Sequence, residues 1–170
     1  MEKTIKVINE LKNQGLIEDY AIGGGIGSIF YIEPVLTFDL DVLILIKSEG
    51  KIITLSPIYD YLKRKGYRAE KEHIIIEGVP VQFIPVYNDL VKEAVEKASE
   101  VRYKGVKTRI LTSEYLVAIM LQTYRPKDRE RIIKFLEEAK VNLRTLSKIL
   151  QKHKLKEKYE QFLRTYYGKK

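Results

Sequence analysis

Two hydrophobic periods alternate along the first part of the chain and predict a mixture of helices and strands. Apolar residues recur at helical spacing within residues 3–14, which predicts a helix. After a short apolar run to residue 22, the segment 38–46 reads FDLDVLILI and is apolar on both faces in its second half. Such a run is typical of an interior strand in a covered sheet.

Later segments continue this mixture as far as residue 111. Ser56-Pro57 predicts a helix start, with serine as N-cap and proline at the first helical position. The segment 73–86, HIIIEGVPVQFIPV, predicts a hairpin that turns across residues 78–80. Asn88 or Asp89 is a candidate cap for a helix to about residue 98, and a strand is predicted near 108–111.

From residue 112 onward the pattern is helical throughout, in four segments separated by short breaks: TSEYLVAIMLQTY, PKDRERIIKFLEEAK, NLRTLSKILQKH and KEKYEQFLRTYY. We find no internal repeat and no low-complexity linker. We therefore predict an α+β fold with an α/β core over residues 1–111. A C-terminal helical region over residues 112–170 is predicted to pack on that core.

The charge is concentrated at one end of the chain. Residues 1–139 contain 21 Lys and Arg against 21 Asp and Glu, whereas residues 140–170 contain ten against two and carry the net charge of +8. A basic segment attracts phosphate through steering and counterion release. Two interpretations stay open, a solvated helix face or a surface that binds nucleotide or nucleic acid.

The composition excludes several classes of site. The chain has no cysteine, which excludes a disulfide scaffold, a thiolate nucleophile and a cysteine zinc site. Two histidines, His73 and His153, are too few for a His-rich metal site; we expect His73 at the surface or core rim and His153 in solvent. No apolar run is long enough to cross a bilayer, and no secretory signal is recognisable, which predicts a cytoplasmic protein with no membrane partner.

The strongest chemical signal is a glycine cluster, residues 23–28, followed by Asp39-Leu40-Asp41. Side chains two apart in a strand share a face, so Asp39 and Asp41 are predicted to lie roughly 6.5–7 Å apart along it. Two like charges at about 4 Å repel by about 4 kcal/mol at an effective dielectric near 20. A divalent cation removes this cost, and Mg²⁺ binds one or two carboxylates together with substrate phosphates.

The glycines fit the same chemistry. Gly24 and Gly25 let the backbone approach a ligand closely, and Ser28 is predicted near the start of the next helix, whose amides favour an anion. A phosphate cradle beside a metal-binding acid pair predicts a phosphoryl-transfer site. Structural interpretations also exist, because glycine turns reverse the chain and acids at a strand start face water. Thr37 either bonds to the site or is simply a β-branched strand residue.

Two other glycine-rich motifs fit less well. A P-loop ends in Gly-Lys-Ser/Thr, but this cluster ends in Gly27-Ser28 without lysine. A dinucleotide-binding fold places its acid at the end of a strand, whereas Asp39 and Asp41 precede the apolar run VLILI. Both interpretations are therefore rejected.

The residues GGGIGS and TFDLDVLI resemble the GG…DxD signature of the polymerase-β-like nucleotidyltransferase superfamily. The Thr-x-Asp-x-Asp strand and the later segments Glu114-Tyr115-Leu116 and Arg125-Pro126-Lys127-Asp128-Arg129 resemble, more narrowly, the AbiEii/AbiGii toxin family of minimal nucleotidyltransferases. The resemblance covers residues 20–140.

This resemblance implies a nucleotidyltransferase fold, with a small mixed sheet flanked by helices and a C-terminal helical bundle. It implies transfer of a nucleoside monophosphate from an NTP to an acceptor hydroxyl of RNA, protein or a small molecule, with Mg²⁺ or Mn²⁺. The implied site residues are three that hold the triphosphate (Gly24, Gly25, Ser28), two that bind metal (Asp39, Asp41) and two that contact the nucleotide or support the acids (Lys127, Asp128).

One position departs from the superfamily pattern. The third carboxylate, which the superfamily places in a neighbouring strand, falls here on Gln82 within Val81-Gln82-Phe83. An amide oxygen can bind a metal but brings no charge, so Gln82 puts catalysis in question more than nucleotide binding. Glu77 could substitute if the hairpin brings it to the same face; otherwise it is a surface acid before a turn.

Three hypotheses follow: an active nucleotidyltransferase, a catalytically weakened nucleotide- or nucleic-acid-binding module, and the toxin of a toxin–antitoxin pair with an antitoxin partner. The basic C-terminal helices would suit an RNA acceptor such as tRNA. Tyr115 and Tyr124 could stack a base, although helix packing is the alternative. Arg125, Lys127, Arg129 and Arg131 could line a phosphate-binding face or be the outer charges of an amphipathic helix.

Overall fold

The computed structural model describes residues 1–47, 50 and 52–168, so Lys169 and Lys170 of the basic tail lie outside the described residues. The helices are α1 (Glu2–Asn13), α2 (Gly24–Ser28), α3 (Ser56–Arg64), α4 (Asp89–Glu96), α5 (Ser113–Thr123), α6 (Pro126–Glu138), α7 (Leu143–Lys152) and α8 (Lys156–Tyr167). The strands are β1 (Asp19–Ile22), β2 (Leu40–Leu45), β3 (Arg68–Glu70), β4 (His73–Ile76), β5 (Val79–Pro85), β6 (Ser99–Tyr103) and β7 (Val106–Ile110).

The strands form one mixed sheet in the order β3-β4-β5-β2-β1-β7-β6. β2 pairs parallel with β5 and β1 pairs parallel with β7, while the other neighbours are antiparallel. β2 has a partner on each side, as its apolar second half predicts for an interior strand. The predicted fold class, a mixed sheet flanked by helices, is confirmed.

Each face of the sheet contributes to its own hydrophobic core. Leu40, Val42 and Ile44 point to one face, where they join buried residues of α1 and α3. Leu43 points to the other face and joins the core formed with α4–α8. The C-terminal helices thus share a core with the sheet, while the division at residue 111 stays a prediction.

Within the described ranges, no helix has both the length and the apolar character needed to cross a bilayer.

Some predicted boundaries were wrong. The helix predicted to start near Ser28 instead begins inside the glycine cluster and ends at Ser28, and residues 29–32 are not helical. β2 begins at Leu40, so Asp39 precedes the strand. The hairpin turns at residues 77–78, and Val79 and Pro80 already belong to β5.

Two strands were not predicted, and both lie near an end of the sheet. All three residues of β3 are exposed, and β6 (SEVRY) has no buried residue, so neither shows the apolar alternation that marks a half-buried strand. The predicted cap of α4 is confirmed, because Asn88 Oδ1 accepts a hydrogen bond from the Val91 amide at 2.9 Å. α3 begins at Ser56 itself, with Leu55 as its N-cap.

Candidate active site

β2 positions the two predicted acids at its start. Asp41 lies in the strand on the face opposite Leu40 and Val42, and its carbonyl accepts the Gly23 amide at 3.0 Å. Asp39 precedes the strand by one residue, so the β-ladder does not fix its backbone. Its side chain keeps about one-third of its surface exposed. The structure therefore holds Asp41 firmly and leaves Asp39 more open to solvent.

The charge around Asp41 is unbalanced. Burial raises the pKa of Asp41, and the neighbouring Asp39 raises it further. Lys127, Arg125 and Arg131 act in the opposite direction, yet the pKa remains above the ordinary value. An anion already buried beside another anion is a place where a bound cation would lower the energy.

Gly24 and Gly25 bring the backbone into contact with the charged groups of the site. Gly24 has φ +56°, and a Cβ built on it would lie 1.9 Å from Asp41 Oδ2. A Cβ on Gly25 would lie 2.7 Å from Thr37 Oγ1 and 3.2 Å from the Arg131 guanidinium. Any side chain at these positions would push the acid, the threonine or the arginine away. The two glycines are thus needed for the close approach of these side chains, while their approach to a ligand stays a prediction.

Ser28 is the last residue of α2, not near its start as predicted. Its side chain is fully buried, and its Oγ donates to the Gly24 carbonyl at 2.7 Å. Thr37 makes a similar local bond, donating through Oγ1 to the Asp39 carbonyl at 3.3 Å. Both hydroxyls therefore brace the backbone that carries Gly24 and Asp39.

Gln82 occupies the position beside Asp41. The parallel pairing of β2 and β5 places Asp41 in register with Gln82, so their side chains lie on the same face of neighbouring strands. Glu77 is not brought there: it sits in the hairpin turn, and its Oε1 accepts the Tyr67 hydroxyl at 2.8 Å. Among these candidates for a third acid, the structure therefore places an amide, not a carboxylate, beside Asp41.

The start of α6 lies across the site from Asp41 and β2. Asp128 is 0% exposed and accepts four hydrogen bonds: from Thr123 Oγ1 at 2.8 Å, and from the Arg125 amide, Nε and Nη2 at 2.8–3.1 Å. Burial alone would raise the pKa of Asp128, but these bonds from Arg125 and Thr123 bring it below the ordinary value. Asp128 therefore caps α6 and fixes Arg125 in place.

Three cations of this helix start face the acids. Arg125, Lys127 and Arg131 all act electrostatically on Asp41, and Arg131 reaches Gly25. Arg129 points elsewhere, because its guanidinium lies 5.4 Å from the centre of the Tyr124 ring. Of the four cations predicted for a phosphate-binding face, Arg125, Lys127 and Arg131 thus lie near Asp41 and Arg129 lies against Tyr124, while phosphate binding stays a prediction.

A cavity of about 340 Å³ separates the two walls. Gly24, Asp41, Arg125, Asp128 and Arg131 line its polar part, with Tyr87 beside them. The rest of its lining is mostly apolar: Leu43, Ile84, Leu111, Leu116, Ile119 and Met120. The Asp41 carboxylate on one side and the guanidinium groups of Arg125 and Arg131 on the other suit a ligand that carries phosphates together with a cation.

For a divalent cation, the described residues supply a pair of carboxylates. No group of three His, Asp or Glu side chains that could hold a metal occurs in the part of the chain that the structure describes. The donor set nevertheless fits Mg²⁺ or Mn²⁺, because such an ion takes one or two carboxylates and completes its shell with water and substrate phosphates.

His73 is the site residue that sequence reasoning missed. It is the first residue of β4, and its Nε2 lies 3.1 Å from Asp39 Oδ2, with the imidazole 22% exposed. The signal available was its place directly before Ile74-Ile75-Ile76, at the end of the hairpin that also carries Gln82. Without the strand order, nothing in the sequence links that hairpin end to Asp39.

The two tyrosines considered for base stacking serve helix packing. The Tyr115 hydroxyl donates to Glu93 at 2.6 Å and joins α5 to α4. Tyr124 packs edge-on against Phe162 of α8 at 6.4 Å between ring centres, with Lys158 4.8 Å from its ring centre. Neither residue lines the cavity between the acids and α6.

The sequence matches no protein-family model and no curated protein. Solved structures do match. A nucleotidyltransferase-like protein from Paracoccidioides brasiliensis aligns with a TM-score of 0.53 and 16% identity, over 80% of this chain and 76% of that one. The lincosamide antibiotic adenylyltransferase LnuA, lincomycin-bound, aligns with a TM-score of 0.48 and 17% identity, over 79% and 95% of the two chains. With its mixed sheet flanked by helices, this chain has the nucleotidyltransferase fold.

Proposed function

We propose that the protein transfers a nucleoside monophosphate from an NTP to an acceptor hydroxyl. The observation that carries the proposal is one cavity with the half-buried Asp41, whose pKa is raised, on one wall and the cations at the start of α6 on the other. Two neighbouring carboxylates without a ligand raise the free energy of the fold. A bound metal ion would neutralise the carboxylates, and the phosphates that it carries would bind the cations of the other wall.

The chain's own residues would divide the work as follows. Gly24, which lines the cavity, would present its backbone to the triphosphate, and the buried Gly25 would let the turn approach closely. Arg131 and Lys127 would neutralise the negative charge of the triphosphate. Asp39 and Asp41 would hold Mg²⁺ or Mn²⁺, which when bound supplies charge stabilisation and alignment for an in-line displacement. Ser28 and Asp128 act indirectly in this proposal, since their polar atoms already bond to the glycine turn and to Arg125.

In the proposed step the acceptor oxygen attacks the α-phosphorus of the NTP. The bond from that phosphorus to the bridging oxygen breaks, pyrophosphate leaves, and the acceptor proton passes to solvent. The acceptor class is proposed to be RNA, because α7 and α8 present exposed cations such as Arg144, Lys148 and Lys156. The likeness to the AbiEii/AbiGii family is consistent with this acceptor and stays a prediction.

Gln82 supports a second candidate, a module that binds nucleotide but transfers poorly. In this fold position the neutral amide stands in register with Asp41 and adds no negative charge to the metal site. The two candidates make different predictions for Gln82→Asp: an already active enzyme changes little, whereas a weakened one gains activity.

One experiment tests both candidates. The protein is incubated with each α-³²P-labelled NTP, Mg²⁺ or Mn²⁺ and total RNA, and label in RNA is counted for the wild type, Asp41→Asn, Gln82→Asp and Gln82→Asn. We expect transfer that Asp41→Asn lowers by roughly 10²–10³-fold. Transfer unaffected by Asp41→Asn would contradict the proposal. Nucleotide binding without transfer, converted to transfer by Gln82→Asp and not by Gln82→Asn, would favour the second candidate.

A further inference from the structure

The β-sheet carries His73 to the acid pair from two strands away. β4 runs antiparallel to β5 with Ile74 opposite Val81, so one step further along the same register sets His73 opposite Gln82. Gln82 is itself in register with Asp41. Three adjacent strands therefore place His73, Gln82 and Asp41 in a row on one face of the sheet. Asp39, just before β2, contacts His73 at the end of this row.

Asp39 needs an external support that Asp41 does not need. Asp41 is fixed by β2 pairing on both sides, whereas Asp39 lies before the strand and has a carboxylate about one-third exposed. The two carboxylates also repel each other, because they carry like charges near the start of the same strand. Unsupported, the Asp39 side chain would turn away from Asp41 into solvent.

We propose that His73 is a positioning residue that holds the Asp39 carboxylate for a divalent cation. This inference rests on the proposed function and goes beyond it by assigning a role to a residue on a separate strand. Because a carboxylate can only accept, Nε2 donates to Asp39 Oδ2 at 3.1 Å. Oδ1 is left available to the metal, so the hydrogen bond and the metal bond do not compete for one oxygen.

The same arrangement explains why an amide can stand at position 82. A third carboxylate there would place another negative charge between Asp41 and Asp39 and would compete for the imidazole. With Gln82 neutral, the donor from His73 is directed to Asp39 alone. Partners of this kind, which hold a metal ligand by a hydrogen bond, typically change metal affinity or activity by 10–100-fold when removed.

The test measures Mn²⁺ binding itself, by the loss of the free-ion EPR signal on titration with purified protein. The variants are His73→Ala, His73→Gln, whose amide nitrogen reaches the place of Nε2, and His73→Asn, whose shorter amide does not. Asp41→Asn reports on the acid pair. His153→Gln is the control at the other histidine, whose side chain is only 9% exposed, not in solvent as predicted, and whose Nε2 lies 3.4 Å from Glu93 Oε2. Thermal unfolding of each variant confirms that it is folded.

We expect His73→Ala and His73→Asn to weaken Mn²⁺ binding by roughly 10–100-fold and His73→Gln to restore most of it, with His153→Gln like the wild type. Affinity of His73→Ala within twofold of the wild type, while Asp41→Asn removes binding, would overturn the role of His73 alone. Equal weakening by Ala and Gln would overturn the hydrogen-bond mechanism. Binding unaffected by Asp41→Asn would overturn the metal site of the proposed function as well.

Discussion

Two aspartates line the same cavity from opposite walls, and their surroundings are opposite in kind. Asp128, at the start of α6, accepts four hydrogen bonds and has a lowered pKa. Asp41, in β2, has a raised pKa, and no hydrogen bond to its carboxylate occurs among the described residues. Burial disfavours the charge of both carboxylates, but only at Asp128 do the surrounding groups of the protein outweigh that effect.

The difference is the one expected between an acid with a structural role and an acid that binds a ligand, the role proposed for Asp41. A buried carboxylate that is fully bonded stabilises its surroundings, because its donors would otherwise be left unsatisfied. A buried carboxylate without donors costs free energy in the unliganded fold. Such a cost at Asp41 is expected where a ligand makes the missing interactions, and perturbed pKa values of this kind cluster at functional sites.

The proposed difference between the two aspartates is tested most directly by making the same substitution, Asp to Asn, on each wall. Asp128→Asn removes the charge that Arg125 and Thr123 bond to, so we expect the free energy of unfolding to fall by about 2 kcal/mol. Asp41→Asn removes a charge that is unfavourable in the free protein, so we expect stability unchanged within about 0.5 kcal/mol, or increased. Urea unfolding near pH 7, without metal or nucleotide, measures both values.

Adding the ligand extends this comparison. With NTP and Mg²⁺ present, the wild type and Asp128→Asn should both be stabilised, whereas Asp41→Asn should not be. Equal destabilisation by the two substitutions in the free protein would show that Asp41 is also a structural acid, and the distinction between the walls would fail.

Sequence reasoning predicted the elements that carry strong patterns. The interior strand β2 and the cap at Asn88 follow from an apolar run and a short polar side chain at a helix start. The exposed strands β3 and β6 have no such pattern, because they pair mainly through backbone groups. The local sequence pattern therefore predicts the buried strands, whereas β3 and β6 at the ends of the sheet form only because a neighbouring strand is there to pair with them.

Within the site, the same limit applies to contacts between distant segments. Gly24 beside Asp41 was predictable, since the two lie on adjacent elements joined by a short connection. The bond of His73 to Asp39 was not, because it depends on the order β4-β5-β2. Ser28 was predicted near the start of a helix but is the last residue of α2, because a run of glycines does not indicate where a short helix begins.

A smaller effect sharpens the role of the glycine turn. Gly24 and Gly78 both have positive φ, but a Cβ on Gly78 would meet nothing within 4 Å, whereas one on Gly24 would meet Asp41. Gly78→Ala should cost about 1 kcal/mol from backbone strain alone. Gly24→Ala should cost about 1 kcal/mol more and reduce nucleotidyl transfer, because the Asp41 side chain must move. Equal costs in urea unfolding would mean that the acid shifts freely.

The smallest predicted effect is a difference in how pH acts on the two walls. The lowered pKa of Asp128 gives a stability that is present above the ordinary value of about 3.9 and lost as pH falls through the lowered pKa. The raised pKa of Asp41 works in the other direction, giving stability below about 3.9 that is lost as pH rises through the raised pKa. In urea unfolding across this range, Asp128→Asn should therefore flatten the profile on the acid side and Asp41→Asn on the neutral side. Flattening in the same window by both variants would mean that the two carboxylates share one environment.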